Sequence, residues 1–233
     1  LDILKDVSYV IHLAALVGVR DSIERPTEYI RTNVEGFVNV MELCRSIPNL
    51  EHFIYASSSS VYGAGRSVPY SVHSGVDHPI SVYAATKRAN ELLAHSYSWQ
   101  YQIPCTGLRF FTVYGPFARP DMAIPKFTEL IRREQPVQLY GMGVQSRDFT
   151  HVDDIVSAIV GLLDSPPIPN VSFYQVTPAD PASSSAPFKI YNIGSGNPVP
   201  VFVHKVIKLI GNALGIVPVV EDVLMQPGDP VTT

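Results

Sequence analysis

The sequence predicts an α/β protein, a parallel sheet with helices on both faces. Three observations carry that expectation. Short β-branched or aromatic runs at 7–15, 53–57, 106–111 and 189–193 alternate with longer segments of helical length. Pro26 and Pro48 bracket the first of those segments, as helix start and stop signals do. Hydrophobic residues are 46% of the 233 and charged residues 16%, enough apolar surface for a core and too little charge for a disordered chain.

In order, residues 7–15 read as a buried strand that ends in the small residues Ala14 and Ala15. A helix is expected over 27–46 and a strand over 53–57. A polar, glycine-containing loop at 63–79 precedes a helix over 81–100 and a strand over 106–111. A loop at 116–125 leads to a helix over 126–133. Residues 147–151 form a short strand, followed by a helix whose first turn holds Asp153 and Asp154, where the helix dipole favours acids. Residues 165–187 are rich in Pro, Ser and Ala and read as a mobile surface insertion. A strand at 189–193 and a helix at 201–214 complete the pattern, and no internal repeat occurs.

The 17 basic and 21 acidic residues give a net charge of −4, so no basic excess exists to neutralise nucleic-acid phosphates. No apolar run approaches the ~20 residues of a membrane span. The run 10–19 is broken by His12 and Gly18, and no basic stretch introduces an apolar one as in a secretory leader. With only Cys44 and Cys105, a disulfide framework is not expected; both read as small buried hydrophobes in a cytoplasmic protein.

Tyr83 and Lys87 stand four residues apart in Tyr83-Ala84-Ala85-Thr86-Lys87, so on a helix both project from one face. A free tyrosine, with a pKa of ~10, is a poor base at neutral pH. A neighbouring ammonium stabilises the phenolate, which suits the pair to general acid–base work. The spacing alone also fits an ordinary surface helix pair. Upstream, Ala56-Ser57-Ser58-Ser59-Ser60-Val61-Tyr62-Gly63 places hydroxyls at the carboxyl end of a strand, where parallel sheets bind ligands. His12 and His151 read as structural histidines, and no His, Cys, Asp or Glu cluster has metal-ligand spacing.

The serine cluster before Val61-Tyr62-Gly63, with Tyr83 and Lys87 after it, resembles the extended short-chain dehydrogenase/reductase family. Three further segments resemble its UDP-glucuronate 4-epimerase branch. They are His12-Leu13-Ala14-Ala15 with Gly18-Val19-Arg20, then Leu108-Arg109-Phe110-Phe111-Thr112-Val113-Tyr114-Gly115-Pro116, then Arg119-Pro120-Asp121-Met122-Ala123. Arg147-Asp148-Phe149-Thr150 with Asp153-Asp154-Ile155, and Gln226-Pro227-Gly228-Asp229, also fit.

The resemblance implies a Rossmann-type sheet and a sugar-nucleotide 4-epimerase with tightly bound NAD. Tyr83 would take the proton of the sugar's 4-hydroxyl, Ser58 would hydrogen-bond the 4-oxygen, and Lys87 would also hold the nicotinamide ribose. Further cofactor contacts are expected at Leu13, Ala14, Ala15, Asn33, Ser57 and Phe111. The 4-keto sugar would turn over before the hydride returns, interconverting UDP-glucuronate and UDP-galacturonate. Related dehydratases carry an acid just before the Val-Tyr-Gly segment; Ser59 and Ser60 cannot ionise near neutral pH, so water elimination is not expected. A 4-keto uronate is a β-keto acid that loses carbon dioxide readily, and neutral hydrogen bonds can hold its carboxylate out of that geometry. Ser59, Ser60 and Thr112 are the candidates, with Arg119 nearby; UDP-galactose epimerases usually show asparagine at the place of Thr112. Arg147 either reaches a UDP phosphate or pairs with Asp148 or Asp153. Arg119 could equally be a solvated loop charge, and Thr112 an ordinary strand residue.

The family's Gly-x-x-Gly-x-x-Gly fingerprint, which cradles the dinucleotide pyrophosphate, has no match; Gly194-Ser195-Gly196 follows a late strand instead. The expectation is a fragment with residues 1–115 as the later part of an NAD-binding domain and 116–233 as a smaller, mainly UDP-sugar-binding region whose strands return to the sheet. Such a fragment would bind NAD weakly. A homodimer through the helices at 27–46 and 81–100 is expected for the full-length protein. Two other readings remain at this point: a 4-epimerase of another nucleotide sugar such as UDP-glucose, and a non-catalytic sugar-nucleotide-binding fragment.

Overall fold

A computed structural model describes residues 4–65, 68–175, 177–225 and 231–233. The Gln226-Pro227-Gly228-Asp229 segment lies outside the described residues. In chain order the strands and helices begin β1 (Tyr9–His12), α1 (Val19–Glu24), α2 (Pro26–Ile30), α3 (Gly36–Arg45), β2 (His52–Ser58), α4 (Val82–Tyr101), β3 (Cys105–Phe110) and β4 (Thr112–Tyr114). They continue with α5 (Ala123–Arg132), β5 (Val137–Tyr140), β6 (Ser146–Arg147), β7 (Phe149–His151), α6 (Val152–Leu163), β8 (Phe188–Ile193), β9 (Val201–Phe202), α7 (Val203–Leu214) and β10 (Val220–Val223). The chain divides into two units: Leu1–Phe110 with Ser157–Ile193, and Phe111–Val156 with Gly194–Thr233.

The first unit is built on a four-stranded sheet in the order β1-β2-β3-β8, with every pairing parallel. Strand β2 is buried along nearly its whole length, so both of its faces are covered, as expected for an inner parallel strand. Phe37, Met41 and Cys44 of α3, Phe53 and Tyr55 of β2, and Ile190 of β8 share one apolar cluster. Gly107 is required in β3, because a Cβ there would lie 2.5 Å from both Tyr55 Oη and Ile190 Cδ1. Strand β1 departs from the buried strand expected: Ile11 is 43% exposed and Leu13, just beyond it, 50%. Among the described residues β1 pairs only with β2, and this edge position leaves its alternate side chains open.

The helix expected over 27–46 is interrupted. Residues Arg31–Glu35 form one π-helical turn between α2 and α3, and α1 precedes them. Helix α4 starts as expected, with Ser81 Oγ accepting from Ala84 N at 3.1 Å. The segment 165–187 is not a surface insertion throughout. Ala182, Ser184 and Ala186 are buried, Ser98 Oγ donates to Pro187 O at 2.9 Å, and Ile190 N donates to Ala182 O. Their small side chains, which look like linker composition, are what lets this backbone lie so close to α4 and β8.

In the second unit β5 and β10 pair in parallel beside α5 and α7, around Ile131, Val137, Leu139, Val203 and Ile207. Neither strand was expected from the sequence. The expected strand at 147–151 is split in two: β6 pairs antiparallel with β9, and β7 pairs parallel with β4. Asp148 is the joint, its backbone N–H bonded to Thr233 O and its carbonyl to Thr112 N. Helix α5 begins at Ala123, ahead of the expected start at 126, and Pro125 fits its first turn because an N–H there has no intrahelical partner.

Candidate active site

At the carboxyl end of β2 the chain passes from Ser57 and Ser58, both buried, into a single 3-10 turn, Ser59–Tyr62. Ser58 Oγ caps that turn, accepting from Ser60 N at 3.2 Å. Gly63 ends it at φ +52°, where a Cβ would lie 2.1 Å from His78 O. Ser59 and Ser60 are half-buried.

Helix α4 presents Tyr83, Lys87, Asn90, Glu91, Ala94 and Ser98 as its buried stripe. Lys87 Nζ donates to Ala56 O at 2.9 Å, which ties the ammonium to the backbone of β2 just before the serines. Burial pushes the Lys87 pKa down to about 8. The Tyr83 ring stands edge-on to Tyr29, 6.3 Å between centroids. The π turn buries Asn33, whose Oδ1 accepts from Leu16 N at 2.8 Å and whose Nδ2 donates to Leu16 O at 3.0 Å and Thr86 Oγ1 at 3.1 Å. Asn33 therefore braces the segment after β1 against α4. Leu13 and Ala14 are exposed and Ala15 half-buried at the end of β1.

Beneath the serines lies a polar cluster that sequence reasoning did not single out. Glu91, 1% exposed, accepts from Ser57 Oγ at 2.6 Å, from Arg109 Nε and Nη2 at 2.8 and 2.9 Å, and from Arg88 Nη1 at 3.0 Å. Two signals pointed to it: Glu91 is one helical turn beyond Lys87, and Arg109 is a lone charge in an apolar strand.

Other expected site residues belong to the second unit. Phe111 and Thr112 are half-buried, and Thr112 N donates to Asp148 O at 3.1 Å. Arg119 bonds Asp121 at 3.0 Å on the surface. Arg147 Nη1 donates to Ser146 O at 2.8 Å and to Val231 O at 3.2 Å, while the Asp148 carboxylate accepts from Ser195 N. A cavity of about 390 Å3 is lined by Lys126, Phe127, Leu130, Gln138, Tyr140 and Glu221. Sequence reasoning missed it because it missed β5 and β10.

His12 stacks on Phe53, and burial, then the charge of Lys87, lowers its pKa. His151 lies 3.4 Å from Asp153 and edge-on to Tyr114. Cys44 and Cys105 are free and buried, and burial pushes the Cys44 thiol up to about 12. Among the described residues no group of three His, Cys, Asp or Glu could hold a metal, and no helix is long and apolar enough to cross a membrane.

Comparisons with known proteins give the family. Protein CapI of Staphylococcus aureus is 51% identical over 220 residues, covering 94% of this chain and 65% of that protein. A probable UDP-glucuronate 4-epimerase of Rhizobium meliloti (strain 1021) is 43% identical over 229 residues, 97% of this chain and 65% of the relative. The chain thus spans about two thirds of the length of these curated relatives. Among solved structures, MoeE5 in complex with UDP-glucuronic acid and NAD superposes with a TM-score of 0.82 at 36% identity, over 99% of this chain and 70% of that one. The family model for NAD dependent epimerases and dehydratases matches residues 1–173, which include β1, β2 and β3 of the parallel sheet, the serine turn and the Tyr83–Lys87 helix, so the chain belongs to the NAD dependent epimerase/dehydratase family.

Proposed function

We propose that the protein is a nucleotide-sugar 4-epimerase that works with NAD and interconverts UDP-glucuronate and UDP-galacturonate. The observation that carries this reading is the buried pair Tyr83 and Lys87 on α4, with Lys87 bonded to the strand that ends in Ser57 and Ser58.

The residues present fit the nicotinamide ribose of the dinucleotide, while the fingerprint that cradles its pyrophosphate has no match in these residues. Lys87 has three N–H donors and one carbonyl acceptor, Ala56 O, which leaves donors for ribose hydroxyls. Leu13 and Ala14 offer exposed apolar surface at the end of a parallel strand, where such sheets receive nucleotides. The cofactor's chemistry is reversible hydride exchange at carbon 4 of the sugar. The chain's own work is proton transfer and orientation. Tyr83 holds or releases the proton of the 4-hydroxyl, and its phenolate is favoured when Lys87 is charged. Ser58 hydrogen-bonds the 4-oxygen. Ser59, Ser60 and Thr112 bind the uronate carboxylate as neutral donors, which suits an epimerase that must not decarboxylate its keto intermediate. Arg147 takes a phosphate of UDP, and the second unit carries most of the nucleotide contacts. The name of the Rhizobium meliloti relative, a probable UDP-glucuronate 4-epimerase, supports the choice of uronate.

The test is NMR of UDP-glucuronate incubated with NAD and the full natural polypeptide that carries these residues. The expected product is the 4-epimer, and Tyr83→Phe should lower the rate by about a thousandfold while UDP-sugar binding is kept. Conversion of UDP-glucose but not UDP-glucuronate would overturn the substrate, and full activity in the Phe variant would overturn the role of Tyr83.

A further inference from the structure

The Glu91–Arg109 pair is the most deeply buried charge pair among the described ion pairs, with side chains 1% and 0% exposed. Burial would lower the Arg109 pKa, but the hydrogen bonds and charge of Glu91 outweigh it and hold the guanidinium charged. A buried ion pair adds little net stability, because an apolar pair of similar size often serves as well or better. Stability is therefore a poor reason for this one, and its contacts suggest another.

Ser57 donates to Glu91 Oε1 at 2.6 Å, which ties the start of the serine segment to α4. At the other end of the segment, Arg109 lies over the Tyr62 ring, 4.9 Å from its centroid. Tyr62 is held on its remaining sides: its ring stacks on Tyr70 at 4.4 Å, its hydroxyl donates to Asn192 Oδ1 at 2.7 Å, and Asn192 Nδ2 donates to Tyr70 O at 2.9 Å. Between these two tethers stand Ser58, Ser59 and Ser60. The sheet register sets Ser57 opposite Arg109, so the fork of Arg109 meets Glu91 while its plane covers Tyr62. On the helix side, Glu91 is one turn from Lys87 and two from Tyr83.

We propose that the Glu91–Arg109 pair is a positioning device: it pins both ends of the 57–62 segment to α4 and so sets where Ser58 stands relative to Tyr83. Charge-assisted, bidentate bonds suit that task because they fix direction as well as distance. A loosened segment would still bind the sugar nucleotide through other groups, but would hold the 4-oxygen less well during proton transfer. The kinetic consequence rests on the epimerase reading; the pinning itself does not.

The test uses two variants of the full natural polypeptide. Glu91→Leu with Arg109→Met replaces the pair by apolar side chains of similar volume, and Arg109→Lys keeps the charge but loses the fork and the planar cover on Tyr62. Hydrogen exchange of the Ser60 and Gly63 amides should quicken by about tenfold or more in both, while exchange within 53–56 holds. The kcat should fall by about tenfold or more with KM for the UDP-sugar changed less than about threefold. A folded variant with unchanged exchange and unchanged kcat would overturn the proposal, and if the double variant does not fold, Arg109→Lys decides alone. Should the wild type epimerise no UDP-sugar, the functional reading fails, and the exchange measurement still decides the pinning.

Discussion

Lys87 is buried and, among the described residues, donates to a single carbonyl, Ala56 O, and that has a measurable consequence. Its pKa is about 8 in the folded chain against 10.5 for the free side chain. Between those pH values the unfolded chain binds more protons, so stability rises with pH across the window, and the cost of the buried ammonium is fully present below 8. Lys87→Met should therefore stabilise the ligand-free protein at neutral pH by roughly 1–3 kcal/mol and flatten its stability between pH 8 and 10.5. Urea unfolding at several pH values checks this, and an unchanged slope would show that Lys87 is not desolvated. At this scale Tyr83 and Lys87 announced themselves through a helical repeat and the serine run through a strand end, while Ser58 was picked out by the family resemblance. Glu91 and Arg109 did not, because their bond joins a helix to a strand 18 residues away. Arg119 shows the reverse case: a motif residue that pairs with the neighbouring Asp121 on the surface.

At the scale of elements, α4 was readable from its start at Ser81 to within one residue of its end, because capping and amphipathic spacing are local properties. The π turn at Arg31–Glu35 was not. An extra residue in one turn leaves no mark on composition, and its result, the inward swing of Asn33, is defined by what it meets. Asn33 makes three hydrogen bonds to Leu16 and Thr86. Asn33→Ala should cost about 2–3 kcal/mol, because the Leu16 peptide loses both partners. A loss below about 0.5 kcal/mol in denaturant unfolding would mean that packing alone holds the turn. The strands β5 and β10 were missed for a related reason. Each has four residues, and β10 carries Glu221 and Asp222 with no apolar alternation to mark it.

For the whole molecule, the α/β class and the parallel sheet followed from alternation alone. Whether the protein is also a homodimer turns on α3 and α4. These helices are neighbours, joined by Tyr97 Oη to Glu42 and by Arg45 over the Tyr101 ring, and they leave Leu43, Leu92 and Trp99 exposed. The proposed dimer through these helices predicts that Leu92→Asp, at a 56% exposed position, weakens self-association by about tenfold or more with no loss of fold. Sedimentation of the full natural polypeptide checks it, and a monomeric wild type would refute it. The sequence by itself determined whatever depends on near neighbours: the helix that carries Tyr83 and Lys87 on one face, and the strand that ends in serines. Tertiary structure alone decided the grouping of Ser157–Ile193 with the first unit, the burial of 182–187, and the Glu91–Arg109 pair under the serines. The physical reason is that these depend on sheet register and on close approach of distant segments, such as Ser57 opposite Arg109 and Tyr55 against Gly107, which no local spacing encodes.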